Sequence, residues 1–194
     1  MKVIFLDNDG VICLASNWGG RFKKQKEWGG RKLSMIQKEI PLEYRFDDFD
    51  KKAIKVLNYI LKKTNAEIVV SSDWRTFATL EELGVYYTDQ GIIKKPIGFT
   101  KLLGQCEQPD GFPWSRFDDR EQSRSLEILQ YLKDHPEITH WVAVDDLHMG
   151  AHVENSTYGA YDRDWGLTNF VWTPRDWEGI KQSGIKEKII KYLK

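Results

Sequence analysis

Cysteine, proline and long hydrophobic runs are scarce in this sequence of 194 residues. It contains two cysteines, Cys13 and Cys106, and six prolines. Two cysteines cannot form the disulfide framework of a small secreted domain, and their number fits a reducing compartment. No apolar run approaches the ~18 residues that a membrane span needs. We therefore expect a cytoplasmic protein that makes no contact with a membrane.

An excess of charge of either sign is also missing. Lysine and arginine together number 29, and so do aspartate and glutamate. The overall charge therefore indicates no class of binding partner, and no obligate protein partner is evident. The length suits one α/β domain with a sizeable core, so we predict a single domain over residues 1–194.

Strand-like and helix-like segments alternate along the chain, which is typical of a parallel sheet flanked by helices. Strands are predicted at residues 2–6, 67–71, 85–87, 141–144 and 170–172. Helices are predicted at residues 47–63, 76–83 (closed by Gly84), 123–133 and 177–194 (broken at Gly184). Two segments do not fit this alternation: 12–46, predicted to be a small flap, and 101–122, an irregular insertion.

The first predicted strand ends in two carboxylates. Side chains two residues apart on a strand point the same way, so Asp7 and Asp9 can share a cation or divide nucleophilic and acid/base roles. Gly10 then allows the backbone to turn sharply. A plain turn would use the same residue types, so the pattern gains its meaning from the strands that follow.

Polar groups also follow two later strands. Residues 71–75 are Ser-Ser-Asp-Trp-Arg, and residues 145–146 are a pair of aspartates. Open α/β sheets bind ligands at the carboxyl ends of their strands, so these groups are expected to form one site with Asp7 and Asp9. Carboxylates suit a hard divalent cation, whereas hydroxyls and guanidinium donate to phosphate oxygens. The residues thus indicate a phosphate site with a metal ion.

This order of motifs resembles the haloacid dehalogenase (HAD) superfamily of aspartyl-nucleophile phosphatases. More narrowly, several short words resemble the HAD domain of Swiss Army Knife RNA-repair proteins. These words lie at residues 71–75, 97–100, 124–132, 144–146 and 166–168. The resemblance runs from Met1 to about Ile180. It implies a Rossmann-like HAD fold, with a small flap insertion rather than a large cap, and a Mg²⁺-dependent phosphatase.

The resemblance also implies catalytic roles. Asp7 matches the nucleophile, and Asp9 matches the general acid that later acts as base. The Asp7 carboxylate, the Asp9 backbone carbonyl and an acid of the Asp145 and Asp146 pair would hold Mg²⁺. Of that pair, we expect Asp145 to face the metal more directly than Asp146.

Hydroxyl and amide groups complete the expected phosphate contacts. Ser71 matches the strand-end hydroxyl that hydrogen-bonds the phosphoryl group in this superfamily. Ser72 is the adjacent alternative, and we assign it to substrate binding. Asn8, which lies between the two acids, is also expected to contact the substrate.

Basic residues are harder to place from sequence. The third motif of the superfamily is usually a lysine, and here the narrower resemblance places Arg124, with Arg120 as the alternative. Arg75 has the forked donors that suit phosphate, and we assign it to substrate binding. Its alternative role is to pair with Asp73 or with an acid at the rim of the core.

The predicted flap contains a repeated word. Trp-Gly-Gly-Arg occurs at residues 18–21 and again at 28–31, with lysines between them. Aromatic side chains interleaved with cations are typical of single-stranded nucleic acid binding. We expect Trp18 and Trp28 to contact a polynucleotide. The alternative is a solvated basic loop whose tryptophans cover the edge of the core.

The predicted function is a Mg²⁺-dependent phosphohydrolase that removes a terminal phosphate from a nucleotide or polynucleotide, in nucleic acid repair or processing. One alternative is a HAD phosphatase of a small metabolite or phosphoprotein, in which the flap would be a specificity lid. Another is a noncatalytic phosphate-binding or RNA-binding module. The presence of both Asp7 and Asp9 argues against the last alternative, because binding needs neither a nucleophile nor a proton donor.

Overall fold

A five-stranded parallel sheet forms the centre of the molecule. The computed structural model describes residues 1–28, 40–102, 120–149 and 167–194, with only the backbone of residues 120–122. The strands are β1 (Lys2–Leu6), β2 (Glu67–Val70), β3 (Pro96–Phe99), β4 (His140–Asp145) and β5 (Phe170–Trp172). Their order is β3-β2-β1-β4-β5, and every neighbouring pair is parallel. The predicted parallel α/β sheet is confirmed.

Helices connect and cover these strands. They are α1 (Gly20–Glu27), α2 (Leu42–Arg45), α3 (Lys51–Thr64), α4 (Leu80–Asp89), α5 (Arg120–Asp134) and α6 (Ile185–Tyr192). Short 3₁₀ turns lie at Ala15–Asn17, Asp73–Thr76 and Gly179–Lys181. In the described part of the chain, no helix is long and apolar enough to cross a membrane.

The sheet is apolar on both faces because successive side chains of a strand point to opposite sides. In β1, Ile4 and Leu6 pack in one cluster with residues of α3, α4 and α6. Val3 and Phe5 pack on the other face, where Ile128 of α5 covers them. Burial on both faces explains why the first strand is a continuous apolar run.

Parallel pairing brings the carboxyl ends of the strands to one edge of the sheet. Leu6 pairs with Val70 of β2 and with Val144 of β4. The backbone of the next residues continues the same register, since Asp7 N donates to Val144 O and Ser71 N donates to Leu6 O. The polar residues that follow β1, β2 and β4 therefore lie side by side.

The strand predicted at residues 85–87 is wrong, because these residues belong to α4. Thr79 and Glu82 form a capping box at the start of this helix, and Gly84 lies inside the helix rather than closing one before it. A capping box satisfies orphan backbone donors and so favours a helix start at this point. The third strand is instead β3 (Pro96–Phe99), which contains the first three residues of the 97–100 word.

Other boundaries differ by a few residues. The helix predicted at 47–63 begins at Lys51, because the Asp50 side chain accepts hydrogen bonds from the Lys52 and Ala53 N–H groups. The predicted helix at 177–194 consists of a 3₁₀ turn and α6. The predicted break at Gly184 is confirmed by its φ of 82°, in the left-handed region that favours glycine.

The two predicted insertions are described in part. In the segment 12–46, Ile12 and Leu14 are buried in the core, so its first residues are not a solvent-exposed loop. Residues 29–39 lie outside the described residues, as do 103–119 of the other insertion, whose last three residues begin α5. The single domain over 1–194 and the cytoplasmic location stay predictions.

Candidate active site

Three carboxylates meet at the carboxyl edge of the sheet. Asp7 follows β1, Asp145 ends β4 and Asp146 comes next. One oxygen from each lies within 4.8 Å of the others. Asp7 and Asp145 are buried, whereas Asp146 is partly exposed. Such a group of oxygen donors could hold a small, hard cation.

Gly10 makes room for this cluster. Its φ of 67° lies in the left-handed region, and a Cβ placed there would lie 2.6 Å from Asp146 Cγ. Any other residue would therefore strain the backbone and displace the carboxylate. The glycine of the Asp-x-Asp-Gly motif is required by the turn and by the close approach of Asp146.

Arg124 enters the cluster from α5. Its Nη1 lies 3.1 Å from Asp7 Oδ1 and 3.0 Å from Asp145 Oδ2, and its Nη2 lies 3.2 Å from Asp73 Oδ1. The residue is only 7% exposed. Of the two arginines considered from sequence, the structure places Arg124 beside the acids, and the side chain of Arg120 lies outside the described residues.

The two oxygens of Asp145 are both engaged. Oδ2 accepts the hydrogen bond from Arg124, and Oδ1 accepts one from the Leu147 N–H at 2.9 Å. Asp145 is thus fixed as the partner of the guanidinium. The Asp146 carboxylate, which lies over Gly10, is the better placed of the pair to serve as a metal ligand. The sequence favoured Asp145 instead, and the order within the pair stays a prediction.

Burial sets the electrostatics of the site. Burial raises the pKa of Asp7 well above its usual value, against the opposing effect of Arg124. Burial also raises the pKa of Asp145 to about 6 and that of Asp146 to about 6, and the Asp7 charge adds to the effect on Asp146. The single positive charge of Arg124 therefore does not offset the effect of burial on the pKa values of the three acids. A divalent cation bound there would favour their ionised forms.

Asp9 lies beside this cluster and is partly exposed. Its Oδ2 accepts a hydrogen bond from Trp74 Nε1 at 2.8 Å. Burial raises the pKa of Asp9, and the Trp74 hydrogen bond opposes this shift. A raised pKa helps a carboxyl group to keep its proton, as a general acid must.

Two hydroxyls follow β2 at the same edge. Ser71 and Ser72 are buried, and neither Oγ has a hydrogen-bond partner among the described residues. The Ser72 hydroxyl lies close enough to Asp7 to favour its ionised form. Buried hydroxyls usually have partners, and a phosphoryl group bound over Asp7 would supply acceptors for them.

Two residues assigned to substrate binding from sequence point elsewhere. Asn8 is fully buried, and its Oδ1 accepts a hydrogen bond from Tyr87 Oη at 2.6 Å. Arg75 Nη2 lies 2.6 Å from Glu127 Oε2, and Nη1 donates to Thr100 Oγ1 at 2.8 Å. Asn8 thus lies in the core beneath the site, and Arg75 has the alternative role, an ion pair with an acid at the rim of the core.

The two flap tryptophans differ in their contacts. Trp18 is 44% exposed, although its Nε1 donates to Cys13 O at 3.2 Å. Trp28 is 40% exposed and stacks on Tyr44, with ring centroids 5.6 Å apart. Neither is a core residue. Of the second repeated word, residues 29–31 lie outside the described residues.

Sequence reasoning missed Trp74, Phe46 and Glu127 as neighbours of the site. Trp74 stands within the Ser-Ser-Asp-Trp-Arg word, and that position was its only signal. Glu127 stands within the 124–132 word, which was likewise its only signal. Phe46 comes from a distant part of the chain, and no local pattern links it to the acids.

A family model described as the HAD domain in Swiss Army Knife RNA repair proteins matches residues 3–170. Since the match covers most of the chain, the protein belongs to this family, and the resemblance seen in the sequence is confirmed. Membership indicates a HAD-type phosphohydrolase, a class that the buried acidic group fits. Neither the comparison with curated proteins nor that with solved structures found a significant match.

Proposed function

We propose that this protein is a Mg²⁺-dependent phosphohydrolase that forms an aspartyl-phosphate on Asp7 and removes a terminal phosphate from a nucleotide or polynucleotide. The observation that carries this proposal is the position of Arg124, which pairs with Asp7 and Asp145 in a buried site. A guanidinium held there reduces the repulsion between an anionic nucleophile and an anionic phosphate.

The reaction would proceed in two displacements. An Asp7 oxygen attacks phosphorus, while the bond to the leaving oxygen breaks and Asp9 gives its proton to that oxygen. Asp9, now ionised, takes a proton from a water molecule, whose oxygen attacks the phosphorus of the acyl phosphate. Phosphate leaves and the Asp7 carboxylate is restored. The Ser71 and Ser72 hydroxyls would donate to the phosphoryl oxygens in both steps.

The chain offers suitable ligands for the proposed metal. Asp7 and Asp146, together with the backbone carbonyl of Asp9, would hold Mg²⁺, and Asp145 would orient the site through Arg124. When bound, Mg²⁺ supplies positive charge that stabilises the phosphoryl oxygens and keeps Asp7 ionised.

A surface on the flap supports a polynucleotide as the substrate. Trp18, just before α1, and Phe22 of α1 are each 44% exposed, and Lys23 and Lys26 of α1 are exposed as well. Exposed aromatic rings beside cations suit stacked bases and phosphates. Trp18 Nε1 donates to Cys13 O, and Arg21 of α1 lies close enough to Asp9 to influence its charge, so a chain bound to this surface could place a terminal phosphate at the acids.

The test is a phosphate-release screen with Mg²⁺ over nucleotides, oligonucleotides with a 3′- or 5′-phosphate, phosphopeptides and sugar phosphates. We expect release from at least one phosphorylated nucleotide or oligonucleotide, and Asp7→Asn should abolish it without loss of the fold. Near-normal activity of Asp7→Asn would contradict the mechanism. Release from sugar phosphates or phosphopeptides alone would favour the alternative substrates, and release from none would favour a binding module.

A further inference from the structure

Trp74 is tied to Asp9 by a hydrogen bond and to the core by stacking. It lies in the 3₁₀ turn after β2 and is 2% exposed. Its Nε1 donates to Asp9 Oδ2 at 2.8 Å. Its ring is stacked with Phe46, at 4.5 Å and 11°, and with Phe49, at 5.3 Å and 17°. The indole is therefore held in one orientation by its neighbours.

The Trp74 indole N–H can act only as a hydrogen-bond donor. An indole N–H donates a hydrogen bond and cannot accept one. Asp9 Oδ2 must therefore offer a lone pair to Trp74 whether the carboxyl group is neutral or ionised. The carbonyl oxygen of a neutral carboxyl group is a better acceptor than its hydroxyl oxygen, so the indole favours Oδ2 as the carbonyl oxygen and the proton on Oδ1.

We propose that Trp74 is a positioning residue that fixes the rotamer of Asp9 and makes Oδ1 the oxygen that exchanges the proton with the leaving group. This inference rests on the proposed function and adds to it the atom that carries the proton. The stack gives the arrangement its rigidity, because the Phe46 and Phe49 rings are themselves buried in the core. The Cys13 thiol also hydrogen-bonds the Asp9 carboxyl group, and Arg21 and Asp47 lie close enough to influence its charge. An S–H group is a weak donor, so the indole N–H sets the orientation of the carboxyl group.

The kinetic test uses Trp74→Phe, which keeps an aromatic ring in the stack and removes the N–H. Departure of an alkoxide needs a proton, whereas departure of an activated phenolate such as p-nitrophenolate does not. We expect kcat/KM for an alkyl phosphate to fall about tenfold or more, as for loss of a hydrogen bond to a charged group. The value for p-nitrophenyl phosphate should stay within about twofold, since general acid catalysis is not needed. Equal losses on both substrates, or no loss on either, would overturn the positioning role.

A matched control separates this effect from the general loss of an indole. Trp141 of β4 packs against Phe5 on the other face of the sheet, and Trp141→Phe should leave the ratio of the two kcat/KM values unchanged. A change in that ratio as large as the one caused by Trp74→Phe would overturn the assignment to Trp74.

A second measurement does not depend on activity or on the folding of Trp74→Phe. In ¹⁵N-labelled protein the indole N–H resonance of Trp74 should be shifted downfield. Asp9→Ala should move it upfield and accelerate its hydrogen exchange about tenfold, the effect of losing one hydrogen bond to a charged group. An unchanged resonance would overturn the inference. Absence of phosphatase activity in the wild type, with the resonance behaving as expected, would instead reject the proposed function and keep the contact.

Discussion

Arg124 Nη1 lies 3.1 Å from Asp7 Oδ1, so a buried guanidinium on α5 faces the carboxylate at the end of β1. The superfamily that the sequence resembles usually has a lysine at this place. The forked guanidinium of arginine allows one side chain to contact Asp145 and Asp73 as well. The same residue thus pairs with the proposed nucleophile and fixes the acids around it.

We expect Arg124→Lys to retain the charge but to lose part of the activity. A single ammonium group cannot reproduce the forked contacts to three acids, so kcat/KM for an aryl phosphate should fall about tenfold. Arg124→Met should lose at least ~10²-fold, because Asp7 would then face the phosphate without a cation. Steady-state kinetics at saturating Mg²⁺ measures both variants. Full activity of Arg124→Met would show that another residue supplies the charge.

The contacts of the two adjacent acids predict different effects on metal affinity. Asp146→Asn should weaken Mg²⁺ binding more than Asp145→Asn, since both oxygens of Asp145 already accept hydrogen bonds. For Asp145→Asn we expect the ~10–100-fold loss typical of groups that orient a metal ligand, and for Asp146→Asn a larger one. Isothermal titration calorimetry with Mg²⁺ gives both values. The opposite order would restore the expectation from sequence.

Stability of the metal-free protein should depend on Asp146 and on pH. The pKa of Asp146 is raised to about 6 in the folded protein, against roughly 3.9 in an unfolded chain. The folded state therefore binds more protons between these values, and the stabilisation from this group is lost as pH rises through about 6.

Accordingly, Asp146→Asn should raise the melting temperature of the metal-free protein at pH 7.5, with a smaller increase at pH 5. A domain of this size gains about 2–4 °C for each kcal/mol. Thermal unfolding in the presence of a chelator measures this, and Asp89→Asn at an exposed position of α4 is the control. A decrease at pH 7.5, or an equal increase at both pH values, would contradict the charge argument.

Arg75 should act on stability rather than on substrate affinity. Its side chain and that of Glu127 are both nearly buried and form an ion pair at 2.6 Å. Arg75→Met leaves a buried carboxylate without this partner and should lower the free energy of unfolding by about 3–5 kcal/mol. The control Arg175→Met breaks an exposed pair with Glu178 and should cost about 0–1 kcal/mol. A large rise in KM with normal stability would return Arg75 to substrate binding.

The flap surface predicts a preference for polynucleotides. Oligonucleotides that end in phosphate should be hydrolysed with higher kcat/KM than mononucleotides, and the advantage should decrease steeply with salt. Trp18→Ala and Phe22→Ala should each cost about 1–3 kcal/mol of oligonucleotide binding for a stacked base. Hydrolysis of a small aryl phosphate should not change.

Trp28 is a weaker test of this surface, because it stacks on Tyr44 and its replacement would also disturb the flap. Tyr59→Ala is a suitable control, since Tyr59 is an exposed aromatic residue of α3 that lies beside Lys186 of α6 rather than on α1. Equal losses for Tyr59→Ala and Phe22→Ala, or binding that does not depend on salt, would favour a small metabolite as the substrate.

The strand wrongly predicted at residues 85–87, which belong to α4, shows where local patterns mislead. Val85, Tyr86 and Tyr87 have the composition of a strand, but the capping box at Thr79 starts a helix whose buried face includes both tyrosines. β propensity here reflects burial more than backbone preference, so packing decides the outcome. The break at Gly184 was predictable, because glycine adopts the left-handed backbone conformation readily and this preference is local.

The sequence by itself determined which groups meet at the site. Apolar runs that end in Asp7, Ser71 and Asp145 can be recognised locally, and parallel pairing brings strand ends to one edge. Only the tertiary structure decided how these groups are used. Which acids Arg124 contacts, which aspartate keeps its oxygens engaged, and which side chain holds Asp9 depend on contacts between residues far apart in sequence. Such contacts are set by how α5 and the turn after β2 pack on the sheet, and no spacing along the chain encodes them.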